Sequence, residues 1–160
     1  MSVDMNLFFS APGSLGRVAR ALNSALGVQL RPVHDDGELA RYEYWGLGVV
    51  LVCTTAEGFV DDGDKPLSRY RFYLSVEPRR LADVEEEYWN NLMYYASMYC
   101  FSRITHKLKW PAILTYNTDE LVAQFEPGSS RRLWSAASFR QRRLSTWRAR
   151  KDSNPPPSDP

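Results

Sequence analysis

The chain has little of what most enzymes use: two histidines and two cysteines in 160 residues. A hydrolase or transferase needs a base held against a nucleophile or a metal, and the imidazoles here are His34 and His106, neither with a ligand-spaced partner. His34 beside Asp35 and Asp36 reads as part of a surface turn, and His106 reads as a helix-end residue favouring the dipole. Cys53 lies in an apolar run and Cys100 in a helical pattern, so both read as buried, reduced thiols rather than a disulfide or a metal pair. Long apolar runs are missing too: residues 88–101 are interrupted by Asn90 and Asn91 and fall short of the ~20 needed to cross a bilayer. The first thirteen residues, MSVDMNLFFSAPG, carry an acidic residue and no basic n-region. The expectation is a cytoplasmic protein with no membrane partner. Gly13 and Gly16 flank a strand-to-helix turn but lack the Walker lysine and the dinucleotide spacing, so they read as a plain turn. No internal repeat is present, and no cofactor or metal is implied.

Residues 83–110 are free of Pro and Gly and rich in aromatics, and they predict one long central helix. Two adjacent apolar ridges are expected on it: Val84, Tyr88, Leu92, Tyr95 and Tyr99, and beside them Trp89, Met93, Ala96, Cys100, Ile104 and Leu108. Asp83 and Glu86 have capping-box spacing at its start, and Pro111 stops it. A shorter amphipathic helix is predicted from Ser14, with Gly27 as its C-cap.

Strand-like runs are predicted at residues 5–9, 41–45, 47–55, 70–76, 112–116 and 121–125, with 28–33 a weaker run broken by Pro32. The run RYEYW should have one wet face, and the β-branched run after it should be central in a sheet. Runs of strands between isolated helices predict an α+β fold: a mainly antiparallel sheet of five to six strands with both helices packed on one face.

The net charge of +1 conceals an asymmetry. Residues 1–126 hold 12 Lys or Arg and 17 Asp or Glu, net −5, whereas residues 127–160 hold 8 and 2, net +6. The division predicted is a single α+β domain over 1–126 and a basic, aromatic segment over 127–160 that ends in a disordered Pro-rich tail. Opposite charge on two parts of one chain suggests a segment folded onto the body or one reaching for an acidic partner.

Two groups of residues stand out as candidate surfaces. Residues 57–68 predict a polar loop in which Asp61, Asp62 and Asp64 surround a glycine; their spacing does not fit an EF-hand, so they read as an acidic recognition loop or a solvated connection. The second group is Arg131, Arg132, Trp134, Arg140, Arg142, Arg143 and Trp147, where arginines interleave with aromatics as in proteins that contact phosphates and stack on bases.

The segment GFVDDGDKPLSRYRFYLSV, residues 58–76, resembles a segment of small bacterial immunity-type proteins. In those, a DD-G motif and a serine-tyrosine pair lead into a strand after a hydrophobic strand. The resemblance implies a protein that blocks a polymorphic or contact-dependent toxin by binding it. It supplies no residue-level inhibitory site, and it does not account for the basic C-terminal segment.

The reading is therefore a non-enzymatic, protein-binding module that occludes a partner, possibly a toxin domain, through an acidic surface. Asp61, Asp62 and Asp64, with Asp35 and Asp36, are expected to meet a basic patch, and exposed Tyr42, Tyr44 or Tyr70 to anchor the contact. The alternative is a nucleic-acid-binding accessory protein acting through the Arg/Trp-rich segment.

Overall fold

Strand β1, Met5–Phe9, is buried at every position. A computed structural model describes residues 4–33, 40–46, 48–63, 65–79, 85–118, 120–129 and 133–134. After β1 come helix α1 (Leu15–Leu26), β2 (Arg31–Val33), β3 (Arg41–Gly46), β4 (Val49–Thr55), β5 (Phe72–Pro78), α2 (Glu86–His106), β6 (Ala112–Tyr116), β7 (Glu120–Phe125) and β8 (Leu133–Trp134). The strands form one sheet in the order β2-β3-β4-β5-β1-β6-β7-β8, antiparallel at every pairing.

The fold is α+β, as expected, but the sheet has eight strands rather than five or six. The additions are at its edges. β2 keeps three residues of the run expected over 28–33, and β8 is two residues inside the basic segment divided from the domain at residue 127. A two-residue strand such as β8 carries no periodicity from which it could be read.

Side chains alternate across a strand, so each strand serves two faces. Met5, Leu7 and Phe9 join Leu51, Cys53, Leu74 and Leu114 in the main core, together with Val18 and Leu22 of α1 and Met93 and Ile104 of α2. Both helices thus lie on one face, called the front. Phe8 and Ile113 point to the back.

α1 starts after Ser14 and stops at Gly27, whose φ of 72° is the left-handed conformation that closes a helix at little steric cost to glycine. Its buried positions are Val18, Ala19, Leu22, Ala25 and Leu26.

α2 is shorter than expected and turned differently. Its N-cap is Glu85, and the Asp83 of the expected capping box lies outside the described residues. At the other end the helix stops at His106 instead of Trp110. Lys109 takes a φ of 59°, Trp110 precedes a proline, and its ring stacks on Phe9 at 5.8 Å, so the chain leaves the helix to seat the indole.

Of the two expected ridges, the second is buried at Trp89, Met93, Cys100 and Ile104, whereas Tyr88, Tyr95 and Tyr99 of the first are exposed. Ser97, Phe101 and Thr105 take the buried places instead. The serine and threonine fit there because Ser97 Oγ donates to the Met93 carbonyl at 2.7 Å and Thr105 Oγ1 to that of Phe101 at 2.9 Å. A hydroxyl satisfied by its own helix can be buried like an apolar group.

α2 also closes the end of α1. The Tyr99 hydroxyl donates to the Leu26 carbonyl at 3.1 Å, Arg103 Nε to Ala25 at 2.7 Å and Lys107 Nζ to Ser24 at 3.0 Å. Two cations and a phenol, each four residues apart, thus satisfy three carbonyls that a helix terminus leaves open. Over the β3–β4 turn α2 passes so closely that a Cβ on Gly48 would sit 3.1 Å from Leu92 and 3.2 Å from Trp89. Among the described residues no helix is long and apolar enough to cross a membrane.

Cys53 and Cys100 are free and buried, and burial pushes each thiol up to about 12. Neither should react with a thiol reagent near pH 8 until the protein unfolds. Rapid labelling of the native chain would contradict their place in the core. Met93→Ala should lower stability by about 2–5 kcal/mol, and Tyr95→Ala should change it by less than about 0.5 kcal/mol. Denaturant melts of the two variants measure how the helix is turned.

Candidate functional site

The back of the sheet is covered by the connection between β4 and β5. Ala56 ties the start of this loop to its end, donating its N–H to the Arg71 carbonyl at 2.9 Å. Phe59, Leu67 and Tyr70 then turn inward and pack with Ala56 against Phe8, Tyr73 and Ile113. The Phe59 ring meets Phe8 edge-on at 4.8 Å and Tyr73 at 5.1 Å. Such aromatic contacts add about 0.5–1.5 kcal/mol each beyond the area they bury.

Between those anchors the chain makes a tight polar turn. Asp62 and Lys65 exchange backbone hydrogen bonds of 3.1 and 3.0 Å around Gly63, whose φ is 59°. Lys65 is buried, and its Nζ lies 2.7 Å from Asp62 Oδ2. Asp61 Oδ1 accepts the Ser68 N–H at 2.9 Å, at the 3-10 turn Leu67–Arg69. Hydrogen bonds from Ser68, side chain first and then backbone, hold the Asp61 carboxyl below the usual carboxylate range. These carboxylates therefore brace the loop as well as facing solvent. Val60, 74% exposed, stands next to them, with Glu57 also exposed.

Of the other expected site residues that are described, the three tyrosines do not join this surface. Tyr70 is buried, its hydroxyl directed at Glu126 Oε1 3.5 Å away, so it is an internal anchor of the loop and not the exposed one expected. Tyr42 and Tyr44 are half-buried against the main core, on the front of β3, so the sheet separates them from the loop. The wet face expected of RYEYW is reduced to Trp45, since Arg41 and Glu43, on the same side of the strand, are half-buried like the tyrosines. Asp35, Asp36 and Asp64 lie outside the described residues, as do Arg131, Arg132, Arg140, Arg142, Arg143 and Trp147. Trp134 is in β8, its backbone opposite Ala123.

Residues 41, 43 and 45 lie on the back, together with a polar row that the sequence reading passed over. Glu43 accepts the Trp45 indole N–H at 2.7 Å and lies 2.9 Å from Arg41 Nε. The Tyr73 hydroxyl donates to Asn6 Oδ1 at 2.6 Å, and Ser75 Oγ to Glu77 Oε1 at 2.6 Å. No single strand announces this row, which exists only once β3, β5, β1 and β6 are in register.

Among the described residues no group of three or more His, Cys, Asp or Glu is placed to hold a metal ion. His106 is exposed at the end of α2, its Nδ1 3.0 Å from the Ser102 carbonyl. Fold and surface together define an α+β protein with a braced acidic loop. Compared with known proteins, the chain matches no family model, no curated protein and no solved structure.

Burial first, then Glu126, pushes the Tyr70 hydroxyl up to about 12; burial first, then Glu77, does the same for Tyr73. The fold thus favours both neutral phenols. What they contribute is fully present below pH 10.0 and is lost as pH rises towards about 12. An ultraviolet-difference titration should show a late-ionising component in that window, accompanied by unfolding and reduced in Tyr73→Phe. Ionisation of every tyrosine near the ordinary value would contradict the packing of the loop.

Proposed function

We propose that the protein acts by binding another protein, as an immunity-type inhibitor that occludes a toxin domain through the loop over residues 57–62. The observation that carries this reading is Val60, 74% exposed between Glu57 and the carboxylates of Asp61 and Asp62, on a loop locked by its own buried side chains. An apolar residue rimmed by charges has the make-up of a contact centre that excludes water. A braced loop loses little conformational freedom on binding, and that loss is one of the main terms opposing association. Asp61, held ionised by Ser68, and Asp62 supply the negative potential that steers a basic partner into place. The resemblance of residues 58–76 to immunity-type proteins supports a binding role without assigning its surface.

The braces decide how the reading is tested. Replacing Asp61 or Asp62 disturbs the loop itself, so the informative substitutions are Val60→Ser and Glu57→Lys, whose side chains point outward. A partner recovered from the native host is titrated with wild type and each variant, with thermal melts as the control for folding. Each substitution should weaken the complex about tenfold, or about 1.4 kcal/mol, and Glu57→Lys should also slow association at low salt. Affinities equal to wild type in both variants would remove the loop from the interface.

A further inference from the structure

Tyr88, Tyr95 and Tyr99 are 58%, 61% and 50% exposed on the side of α2 that faces away from the sheet. Tyr88, Tyr95 and Ser102 are spaced seven apart, with Asn91 and Tyr99 four residues to either side of Tyr95, so these positions form one straight stripe down the helix. Closing the end of α1 accounts for Tyr99, whose hydroxyl is used there, but not for Tyr88 or Tyr95. Those two rings lean edge-on against Trp89 and Tyr94, each at 5.6 Å, so they are held in place while the rest of each ring faces solvent. Aromatic side chains bury about 150–250 Å² each, so the exposed parts of the three come to roughly 300 Å², the size at which an apolar patch begins to mark a contact surface.

The ends of the stripe say what covers it. α2 opens on exposed Glu85, the first of three consecutive glutamates, and closes on Arg103, His106 and Lys107. Among the described residues Arg103 and Lys107 meet carbonyls and no carboxylate, so their charge is not neutralised there. A stripe that is negative at one end and positive at the other, with Tyr95 near its midpoint, is complementary to itself turned end for end. Size agrees with charge. Turned about Tyr95, the large Tyr88 falls opposite the small Ser102, and Tyr99 falls opposite Asn91. A parallel pairing would instead set tyrosine on tyrosine and glutamate on glutamate along the whole length.

We infer that the occupant is a second copy of this chain, its α2 laid antiparallel on the first about a two-fold axis through Tyr95. Such an interface is isologous, so every contact away from the axis is made twice and the assembly closes at two copies. Spacing by sevens lets two helices follow each other at a shallow crossing of about 20°, which keeps Glu85 of one copy near His106 of the other. The tyrosine stripe is well under the ~800 Å² per partner of a standard interface, so the dimer is weak and reversible. Both helices lie on the front of the sheet and the acidic loop on the back, so residues 57–62 stay open in each copy. The inference therefore stands or falls independently of the proposed inhibitor function.

The test uses the full chain. Its mass by sedimentation equilibrium should rise from monomer towards dimer as the concentration is raised to about 1 mM. Tyr95→Glu, which sets like charges on the axis, should hold it monomeric. Glu85→Lys should weaken association about tenfold at low salt, because symmetry repeats the lost pair. Melting curves confirm that both variants are folded. Register is read from disulfide crosslinking under a mild oxidant, with Cys53 and Cys100 shielded by burial. Tyr95→Cys should crosslink to itself, and Tyr88→Cys should crosslink only when mixed with Ser102→Cys. Monomer mass throughout overturns a second copy as the occupant, and association that Tyr95→Glu leaves unchanged overturns this face. Crosslinking of Tyr88→Cys alone overturns the antiparallel arrangement, and growth beyond two copies overturns the two-fold axis.

Discussion

β1 sets the terms for the rest of the molecule. It lies between β5 and β6, and all five of its residues are buried. Side chains leave a strand on alternate sides, so one buried strand with large groups on both sides forces the sheet to be covered twice. Leu7 and Phe9 require the helices on the front; Phe8 requires the loop on the back. Each fully buried side chain of this size is worth about 1.5–3 kcal/mol, so leaving either face open would remove a large part of a domain's net stability. The cover is drawn from far along the chain. Met5 pairs with Val76 on one side and with Tyr116 on the other, so β1 is completed only when distant segments have come together.

The front is organised by an arrangement that hydrophobicity does not encode. Tyr99, Arg103 and Lys107 reach across to the carbonyls at the end of α1, and that reach fixes the rotation of α2. With those three side chains turned towards α1, Met93, Ser97, Cys100 and Ile104 must face the sheet, and Tyr88 and Tyr95 must face away. The interaction is one between a helix terminus and cations, which is weak at an open surface and stronger where the partners are partly buried. It orients the helix; burial of the other side of α2 stabilises it.

This is also where the sequence was legible and where it was not. β1, α1 with its Ser14 and Gly27 boundaries, the β3–β4 pair and the β6–β7 pair follow from local pattern, because in each the periodicity and the terminating residue agree. α2 was legible as a helix but not in its orientation. Tyrosine counts as apolar in a pattern, whereas Tyr99 is here a donor; serine and threonine count as polar, whereas Ser97 and Thr105 are buried. Tyr70 was misplaced for a similar reason, since a tyrosine among charged residues looks exposed while its ring fills a gap behind the sheet. The row of Glu43, Ser75, Asn6 and Thr115 comes from four strands and had no sequence signal at all.

The loop shows how the requirement imposed by Phe8 shapes the surface available for recognition. To cover the back, the chain must send Phe59, Leu67 and Tyr70 inward, and the residues between them are then constrained to a turn. Backbone and carboxylate hydrogen bonds close that turn, with Asp61 on Ser68 and Asp62 on Lys65. What remains to face solvent is a fixed arrangement: Val60 with carboxylates around it. Rigidity here is thus a by-product of covering the core, and it is what a binding surface needs, because a loop already ordered in the free protein loses little on association. The same coupling limits how such a surface can change. If the loop is the binding surface proposed above, substitutions at Glu57 and Val60 would alter a partner's affinity alone, while those at Asp61 and Asp62 would disturb the braces of the loop together with the contact, so variation in specificity would be confined to the outward-facing pair.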